Sequence, residues 1–544
     1  MTKNRNMIKL NKYDLFIEAK ITKEKFISGG DLSKSIQYEF NLQNDNSRKI
    51  IERAVKKNVL KSSHPLTFGK GQFIYFANDK KLNKDTLKKF CKNNRPPIYR
   101  LLESLDDNDG VISYYEALKI TASPLIKSNS KVDLLENIID DVNKLKLLKI
   151  FTDSNNVKYI VYDNIDDEEL KKRLLLHYNK LKLDTSFVSD ILSWISKSNL
   201  ILNGDKSFRN KYQPSLGAKH NNLIWDAFGY TKTTGINDIS PQIAKDKEKQ
   251  TLVVLDIVIS RNYQQYDLDG FLNRIQINLN SVSIGKRKVL PIIIYKDCSS
   301  YILNKSKSLG FIAYDIGSIY GSNIFHILNN IYKIQLNSKL LESTELEATI
   351  LDTLEVIRSS GQEDQLRDLK GTLFEVVMYQ LLKLKYSNAE IIPNYSYSKI
   401  VRYKEVSEEQ AMEKEKKEYY EYDYIIKSSN PKEIIVVELK GYHSNYEIPL
   451  GDYLTKNTVK WFFNKTFPFL KEKYKRDIED GYVYKGVYIT SSKFQENAID
   501  FLDILNKGKS KPTNLEVYYD REKLLNVLEE NDFKSLKMII QKFY

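Results

Sequence analysis

The chain has 544 residues, too many for one hydrophobic core, and 41% of them are hydrophobic, so several packed domains are expected. Lys and Arg number 85 against 71 Asp and Glu, and the formal net charge of +14 favours an anionic partner, nucleic acid first. Two cysteines (Cys91, Cys298) rule out a disulfide framework, five histidines without HExxH argue against zinc hydrolysis, and there is no GxxxxGK[ST] phosphate loop. No apolar run is long enough to span a bilayer, and the basic start "MTKNRNMIKLNKYDLF" has no apolar signal core behind it, so a cytoplasmic protein without membrane contact is expected.

Gly29–Phe40 ("GGDLSKSIQYEF") and Asp45–Leu60 ("DNSRKIIERAVKKNVL") read as helices. In the second, Ile50, Ile51, Ala54, Val55 and Val59 form one stripe, Arg48, Lys49, Arg53, Lys56 and Lys57 populate the other surfaces, and Asn46 or Ser47 is the expected cap. "LTFGKGQFIYFAN" then places a Gly-Lys-Gly turn between apolar flanks, the pattern of a tight hairpin. Helix, helix, hairpin is the winged-helix order. It would put Arg48, Lys49, Lys56 and Lys57 on double-stranded DNA from the major groove and Lys70, at the wing tip, on a phosphate. The order recurs from "PPIYRLLESLDDNDGVISYYEALKITA" to "KYIVYDN". The later helix there is acidic (Asp133, Glu136, Asp140, Asp141), which points to a packing or protein-contact copy. Residues 1–80 and 81–165 are taken as these two winged-helix-like units; small helical domains without a nucleic-acid role are the alternative.

Asp166 to Asn203 is an amphipathic connector, followed by an α/β unit, so that 166–335 form a third region. "NNLIWDAFGYT" is its helix candidate, and "TLVVLDIVIS", "VLPIIIY" and "GFIAYDI" are apolar strands of a sheet covered on both faces. Residues 336–544 form the fourth, opening with a helical linker. A helix ("EDQLRDLKGTLFEVVMYQLLKLKY") leads to extended "EIIPNYSYSKIVRYK", then to a charged patch ("EVSEEQAMEKEKKEYYEY") read as solvated helix or loop. Strands "YDYIIK" and "EIIVVELKG", a helix around "VKWFFNKTFPFLKEKY", strand "YKGVYIT", helix "FQENAIDFLDILNK", strand "LEVYYD" and a closing helix follow.

The apolar run "EIIVVELKG" breaks for Glu438 and Lys440, which alternation places on one face of the strand. A hairpin through "SSNPKE" brings Asp423 to the same end of the neighbouring strand. Two carboxylates and the Leu439 backbone carbonyl are hard oxygen donors suited to Mg²⁺ or Mn²⁺. Lys440 would orient or deprotonate a water, or neutralise charge developing on a phosphate. A chance D…ExK in a Glu- and Lys-rich chain is the bland alternative; a carboxylate on a central strand, however, is costly to bury without a partner.

"YDYIIK…VVELK", after a helix with an internal Glu, resembles the PD-(D/E)xK, or restriction-endonuclease-like, nuclease superfamily, and "GYHSNYEIPLGDY" resembles the stretch after the catalytic Lys in FokI-type cleavage domains. Tyr422 stands where the motif's Pro is expected. The resemblance implies that Asp423 and Glu438 bind the metal, that Glu375 reaches it through water, that Lys440 is catalytic, and that the activity is Mg²⁺-dependent DNA cleavage in restriction or phage defence. A homodimer or a defence-complex partner is an expectation of the same kind. The middle unit reads as a worn copy: "TLVVLDIVISRNYQQYDLDGF" aligns with "EIIVVELKGYHSNYEIPLGDY", so Asp256 falls at Glu438 and Val258 at Lys440, with Asp226 the counterpart of Glu375 and Asp238 of Asp423. The whole is a multidomain α/β chain: winged-helix units, a degenerate restriction-endonuclease-like domain and a PD-(D/E)xK nuclease domain. Rival readings are a DNA-binding scaffold or regulatory subunit with an inert nuclease fold, and an RNase using the same site.

Overall fold

The computed structural model describes residues 10–68, 71–127, 133–153, 156–202, 206–212, 214–232, 250–280, 288–337, 344–407 and 410–544. The chain is mixed α/β throughout.

It opens with α1 (Lys12–Glu24), β1 (Phe26–Ser28), α2 (Gly29–Phe40), α3 (Asn44–Lys56), β2 (Lys61–Ser62) and β3 (Ile74–Phe76), the strands forming a small antiparallel sheet in the order β1-β3-β2. Asn11 starts α1 with a capping box to Asp14, and the Ser28 hydroxyl caps α2. Ile51 and Ala54 of α3 are buried, with Ile50, Val55 and Val59 packed beside them. The helix is capped by neither Asn46 nor Ser47: it starts at Asn44, and Ser47 lies inside the first turn, its hydroxyl 2.6 Å from that of Ser33. It also ends at Lys56 rather than Leu60, where Asn58 takes a positive φ of 57°.

The same order follows again. After α4 (Lys84–Asn94) come α5 (Pro96–Asp107), β4 (Val111–Ser113), α6 (Tyr114–Thr121), α7 (Leu135–Asn143), β5 (Leu148–Thr152) and β6 (Lys158–Tyr162), with sheet order β4-β6-β5. The acidic α7 is held by Arg95, whose guanidinium reaches Asp141 at 2.5 Å and, just before the helix rather than in it, Asp133 at 3.2 Å. Leu66, Phe68 and Phe76 pack into one core with Leu87, Ile98 and Ile139.

Two helices, α8 (Asp167–Ser186) and α9 (Val188–Lys197), lead into β7 (Ser207–Phe208), β8 (Ala218–His220), β9 (Leu223–Trp225), β10 (Ala227–Lys232), β11 (Gln250–Val258), α10 (Gln265–Asn280), β12 (Val289–Tyr295), α11 (Ser300–Ser308), β13 (Ile312–Asp315), α12 (Ile316–Tyr320) and α13 (Ile324–Asn337). "NNLIWDAFGYT" is therefore two strands, β9 and β10, and no helix. Leu223, Ile224 and Trp225 are all buried, and the chain bends at Asp226 from one strand into the next.

The last part runs α14 (Thr344–Ser359), α15 (Arg367–Lys385), β14 (Glu390–Ser407), β15 (Gln410–Ser429), β16 (Lys432–Lys440), β17 (Glu447–Ile448), α16 (Val459–Trp461), a π-helical turn (Phe462–Thr466), α17 (Phe467–Lys471), α18 (Lys475–Glu479), β18 (Val483–Thr490), β19 (Lys493–Phe494), α19 (Glu496–Lys507), β20 (Tyr518–Tyr519), α20 (Arg521–Glu530) and α21 (Lys534–Phe543). The charged patch, read from sequence as helix or loop, is strand in its described residues: 405–407 end β14 and 410–422 form most of β15, which pairs with β14 from Glu390↔Lys427 out to Ser407↔Gln410, at every position but Asn394, in a long ribbon.

The two larger sheets share one plan. Their strand orders are β7-β10-β11-β12-β13 and β14-β15-β16-β18-β20. In each, the first three strands pair antiparallel and the last three parallel. A single apolar core joins them: Leu255 of β11 and Ile191 of α9 belong to the same packed cluster as Leu369 and Phe374 of α15 and Val437 of β16.

Candidate active site

Strand β16 alternates as a central strand should: Ile435, Val437 and Leu439 face the large core, and Glu438 and Lys440 share the opposite face, half-buried. The Lys440 ammonium lies 2.6 Å from Glu438 Oε1. In the neighbouring strand Tyr424 pairs with Val437, so Asp423, one residue on, comes beside Glu438. Asp423 is buried, and its Oδ2 accepts the backbone N–H of Leu439 at 2.7 Å. Glu375 joins from the buried face of α15, where the Tyr424 hydroxyl donates to its backbone carbonyl at 3.1 Å. Asp423, Glu438, Lys440, Leu439 and Glu375 are thus brought to one place by two strands and one helix.

Two further features carry no sequence signal of the motif kind. Glu421, two residues before Asp423 on β15, extends the carboxylate row; i, i+2 spacing was the cue available for it. The loop after β7 reaches in from the other large sheet. Lys211 Nζ lies 2.5 Å from Glu375 Oε1, the Tyr212 hydroxyl donates to Asp423 Oδ1 at 2.9 Å, and Asn210 Nδ2 donates to Glu421 Oε1 at 2.8 Å. Nothing local in "RNKY" marks it as a partner for carboxylates more than 150 residues away.

The electrostatics follow from crowding. Burial, and then the Asp423 charge, push Glu375 up to about 7 against the pull of Lys211, and Glu421 rises to about 7 for the same reasons. Glu438 is also raised, by burial first, with Lys440 opposing. For Lys440, burial alone would lower the value, yet Glu438 and Asp423 hold it well above the ordinary lysine range. Lys440 is therefore an ammonium at neutral pH in this arrangement, suited to donating to an anion rather than to taking a proton. The donor set of carboxylates and a backbone carbonyl fits a hard divalent cation in chemistry. Among the described residues, however, no group of three or more His, Cys, Asp or Glu is already disposed to hold a metal.

The proposed DNA-contacting residues are elsewhere. Arg48 and Lys49 are exposed on α3; Lys56, also exposed, pairs with Glu52 at 2.6 Å. Lys57, at the helix end, is 2.7 Å from the buried carboxylate of Asp14. Lys70 lies outside the described residues.

The middle sheet carries the same frame with different contents. Ala227 pairs with Leu255, as Tyr424 pairs with Val437, so Asp226 sits opposite Asp256 as Asp423 sits beside Glu438. The Ile257 N–H donates to Asp226 Oδ2 at 2.7 Å, the same bond that Leu439 makes to Asp423. Asp226 is thus the counterpart of Asp423, not of Glu375: the expected helix is a strand, and strand register decides the match. Asp238, assigned that role from sequence, lies outside the described residues. Val258 occupies the Lys440 position and is buried. The cations come from outside the motif. Lys119 of α6 bonds Asp226 and lies 3.0 Å from Asp256; Arg274 reaches Asp256 at 2.8 Å and Arg209 reaches Asp226 at 3.5 Å. Tyr115 and Tyr263 hydroxyls donate to Asp226 and Asp256 respectively. Burial would raise Asp256, but Lys119 and Arg274 hold it at about 2. This pair of carboxylates is neutralised by fixed side chains.

No family model matches the chain, and no curated protein matches it. Among solved structures, one titled "Structure of restriction endonuclease FokI" is similar over 92% of this chain and 83% of that one, at 11% identity and a TM-score of 0.18, a value too low to bear on fold or site.

Proposed function

We propose that the protein is a divalent-metal-dependent DNA endonuclease of the PD-(D/E)xK kind, acting in restriction or phage defence. The observation that carries this reading is the convergence of Asp423, Glu438 and Lys440 at the junction of β15 and β16, with Asp423 bonded to the Leu439 N–H between the other two. Mg²⁺ or Mn²⁺ would be held by Asp423, Glu438 and the Leu439 carbonyl, with Glu375 acting through water, and would polarise the scissile phosphate and acidify a bound water. Lys440, held protonated by its carboxylate neighbours, would stabilise the negative charge that builds on the phosphate.

The helix–strand–helix–helix–strand–strand order up to Phe76, with a β1-β3-β2 sheet, supports a winged-helix unit presenting Arg48 and Lys49 to double-stranded DNA. The repeat of that order up to Tyr162 supports a second such unit, turned by its acidic α7 to packing. The shared sheet plan supports reading the middle region as a degenerate copy of the nuclease fold. One competent site per chain nicks one strand, so double-strand scission would require a homodimer or a partner from a defence complex.

Mg²⁺-dependent nicking of supercoiled plasmid, with Lys440→Ala as control, tests the reading. Loss of nicking by on the order of 10²-fold or more in the variant is expected; equal cleavage by both proteins would assign the activity elsewhere. Competition between duplex DNA and RNA separates a DNase from an RNase. A second reading, an inert DNA-binding scaffold, is favoured by one observation: Lys211 and Tyr212 already engage Glu375 and Asp423. Absence of metal-dependent cleavage of either polymer would select it.

A further inference from the structure

We propose that the segment Asn210–Tyr212 is an internal plug of the carboxylate cluster, and that this segment and a divalent cation are mutually exclusive occupants of it; the inference rests on the metal-dependent reading above. Three consecutive side chains take three different carboxylates. Asn210 donates to Glu421, Lys211 to Glu375 and Tyr212 to Asp423, at 2.8, 2.5 and 2.9 Å. Asn210 also accepts the Tyr212 N–H at 3.0 Å, which fixes the turn that aims all three. With Leu439 N on Oδ2 and Tyr212 on Oδ1, both oxygens of Asp423 are engaged. The Lys211 ammonium supplies positive charge to a cluster of buried carboxylates, as a metal would. Two cations a few ångströms apart in a poorly solvated site repel strongly, so entry of one favours expulsion of the other.

The plug is rooted away from the site it fills. Arg209, one residue earlier, gives its Nε to the Pro214 carbonyl at 2.6 Å and its Nη2 to the Leu181 carbonyl at 3.3 Å, and its guanidinium lies 4.6 Å from the Tyr115 ring of α6. Its backbone N–H also donates to the Asp226 carbonyl at 2.7 Å. A displacement of α6 would therefore be felt at Lys211 and Tyr212 through the Tyr115 ring against Arg209 and through Asp226, which Tyr115 and Lys119 bond and whose carbonyl accepts the Arg209 N–H. Since α6 belongs to the second amino-terminal unit, a shift of that unit against the middle sheet is the event placed to withdraw the plug.

Mn²⁺ binding to the full chain, measured by calorimetry without nucleic acid, tests this in the Lys211→Ala/Tyr212→Phe double variant and in Tyr212→Phe alone, which removes one hydroxyl at nearly constant volume. The double variant should bind Mn²⁺ on the order of tenfold more tightly than the wild type, with a smaller gain for Tyr212→Phe, and should nick plasmid faster at limiting Mn²⁺. Equal or weaker Mn²⁺ affinity in both variants overturns the plug. Slower nicking at unchanged affinity also overturns it, and makes Lys211 a substrate contact. Absence of Mn²⁺ binding in wild type and variants alike, or binding that survives Asp423→Asn, sinks the metal-dependent reading itself and the plug with it.

Discussion

The ion cluster of the middle sheet makes a quantitative demand on stability. In Asp256→Asn the volume is kept and one charge is removed, leaving Lys119 and Arg209 paired with Asp226 and Arg274 without its carboxylate. Asp256 is held at about 2, below its ordinary value of 3.8, which by linkage corresponds to about 2 kcal/mol of native stability at neutral pH. That contribution is present above the unfolded value and is lost as pH falls through the folded one. The substitution also leaves buried cations short of a partner, and breaking a buried pair from one side costs about 3–5 kcal/mol; we take the latter figure for the total, because linkage counts only the proton equilibrium. Trp225, buried with its ring 5.0 Å from the Arg274 guanidinium, is a local reporter. Urea unfolding followed by fluorescence, with Trp194 and Trp461 replaced by Phe, should show the transition of the Asp256→Asn variant moved down by about 1–2.5 M for slopes of about 2–3 kcal/mol per M. Mg²⁺ should not restore it. A loss under about 1 kcal/mol would mean that the cluster is well solvated and that the fixed cations do not hold these carboxylates.

Two other consequences are open to measurement. Gly441 follows Lys440 directly, and an added Cβ would lie 2.7 Å from Phe374 Cβ and 2.9 Å from its Cγ. Phe374 is fully buried and cannot swing away, so Gly441→Ala should cost about 1–3 kcal/mol and displace the adjacent Glu375, lowering nicking more than DNA binding; an unchanged melting midpoint and rate would refute the close approach. Asp190 receives the N–H groups of Asp368 and Leu369 at the start of α15, each at 3.2 Å, and burial, then Asp368, push it up to about 8. A raised carboxylate means that the folded state binds more protons than the unfolded between about pH 4 and 8. Stability should therefore fall as pH rises through that window by up to about 1.4 kcal/mol per unit, and Asp190→Asn should remove that part of the slope. Identical slopes for wild type and variant in thermal unfolding between pH 5 and 7 would show that Asp190 ionises freely.

The parts of the site legible in the sequence are those where local pattern and tertiary role coincide. Glu438 and Lys440 stand out because they interrupt an apolar central strand. "EVSEEQAMEKEKKEYYEY" misleads because its charge fits a solvated helix. In the structure its strand character comes from cross-strand pairing with β14, which composition does not report. "NNLIWDAFGYT" misleads because a bend at Asp226 between two short strands imitates helical spacing, and the error carried Asp226 to the wrong counterpart. Lys119, Arg209, Lys211 and Tyr212 were invisible for another reason: each acts on carboxylates of another element, and single cations or hydroxyls on helices and loops carry no local mark of a distant partner.

Two sheets of one strand order in one chain also give the unfolded polypeptide two docking places for its central strands, β11 and β16. Apolar matching hardly separates "LVVLDIV" from "IIVVELK". Charge does: β11 seated among the carboxylates of the last sheet would bring Val258 where an ammonium belongs, and β16 seated beside Lys119 and Arg274 would add Lys440 to a pocket already rich in cations. Misassembled intermediates would thus bury ions without partners, so the differing polar contents of the two frames sort the strands during folding.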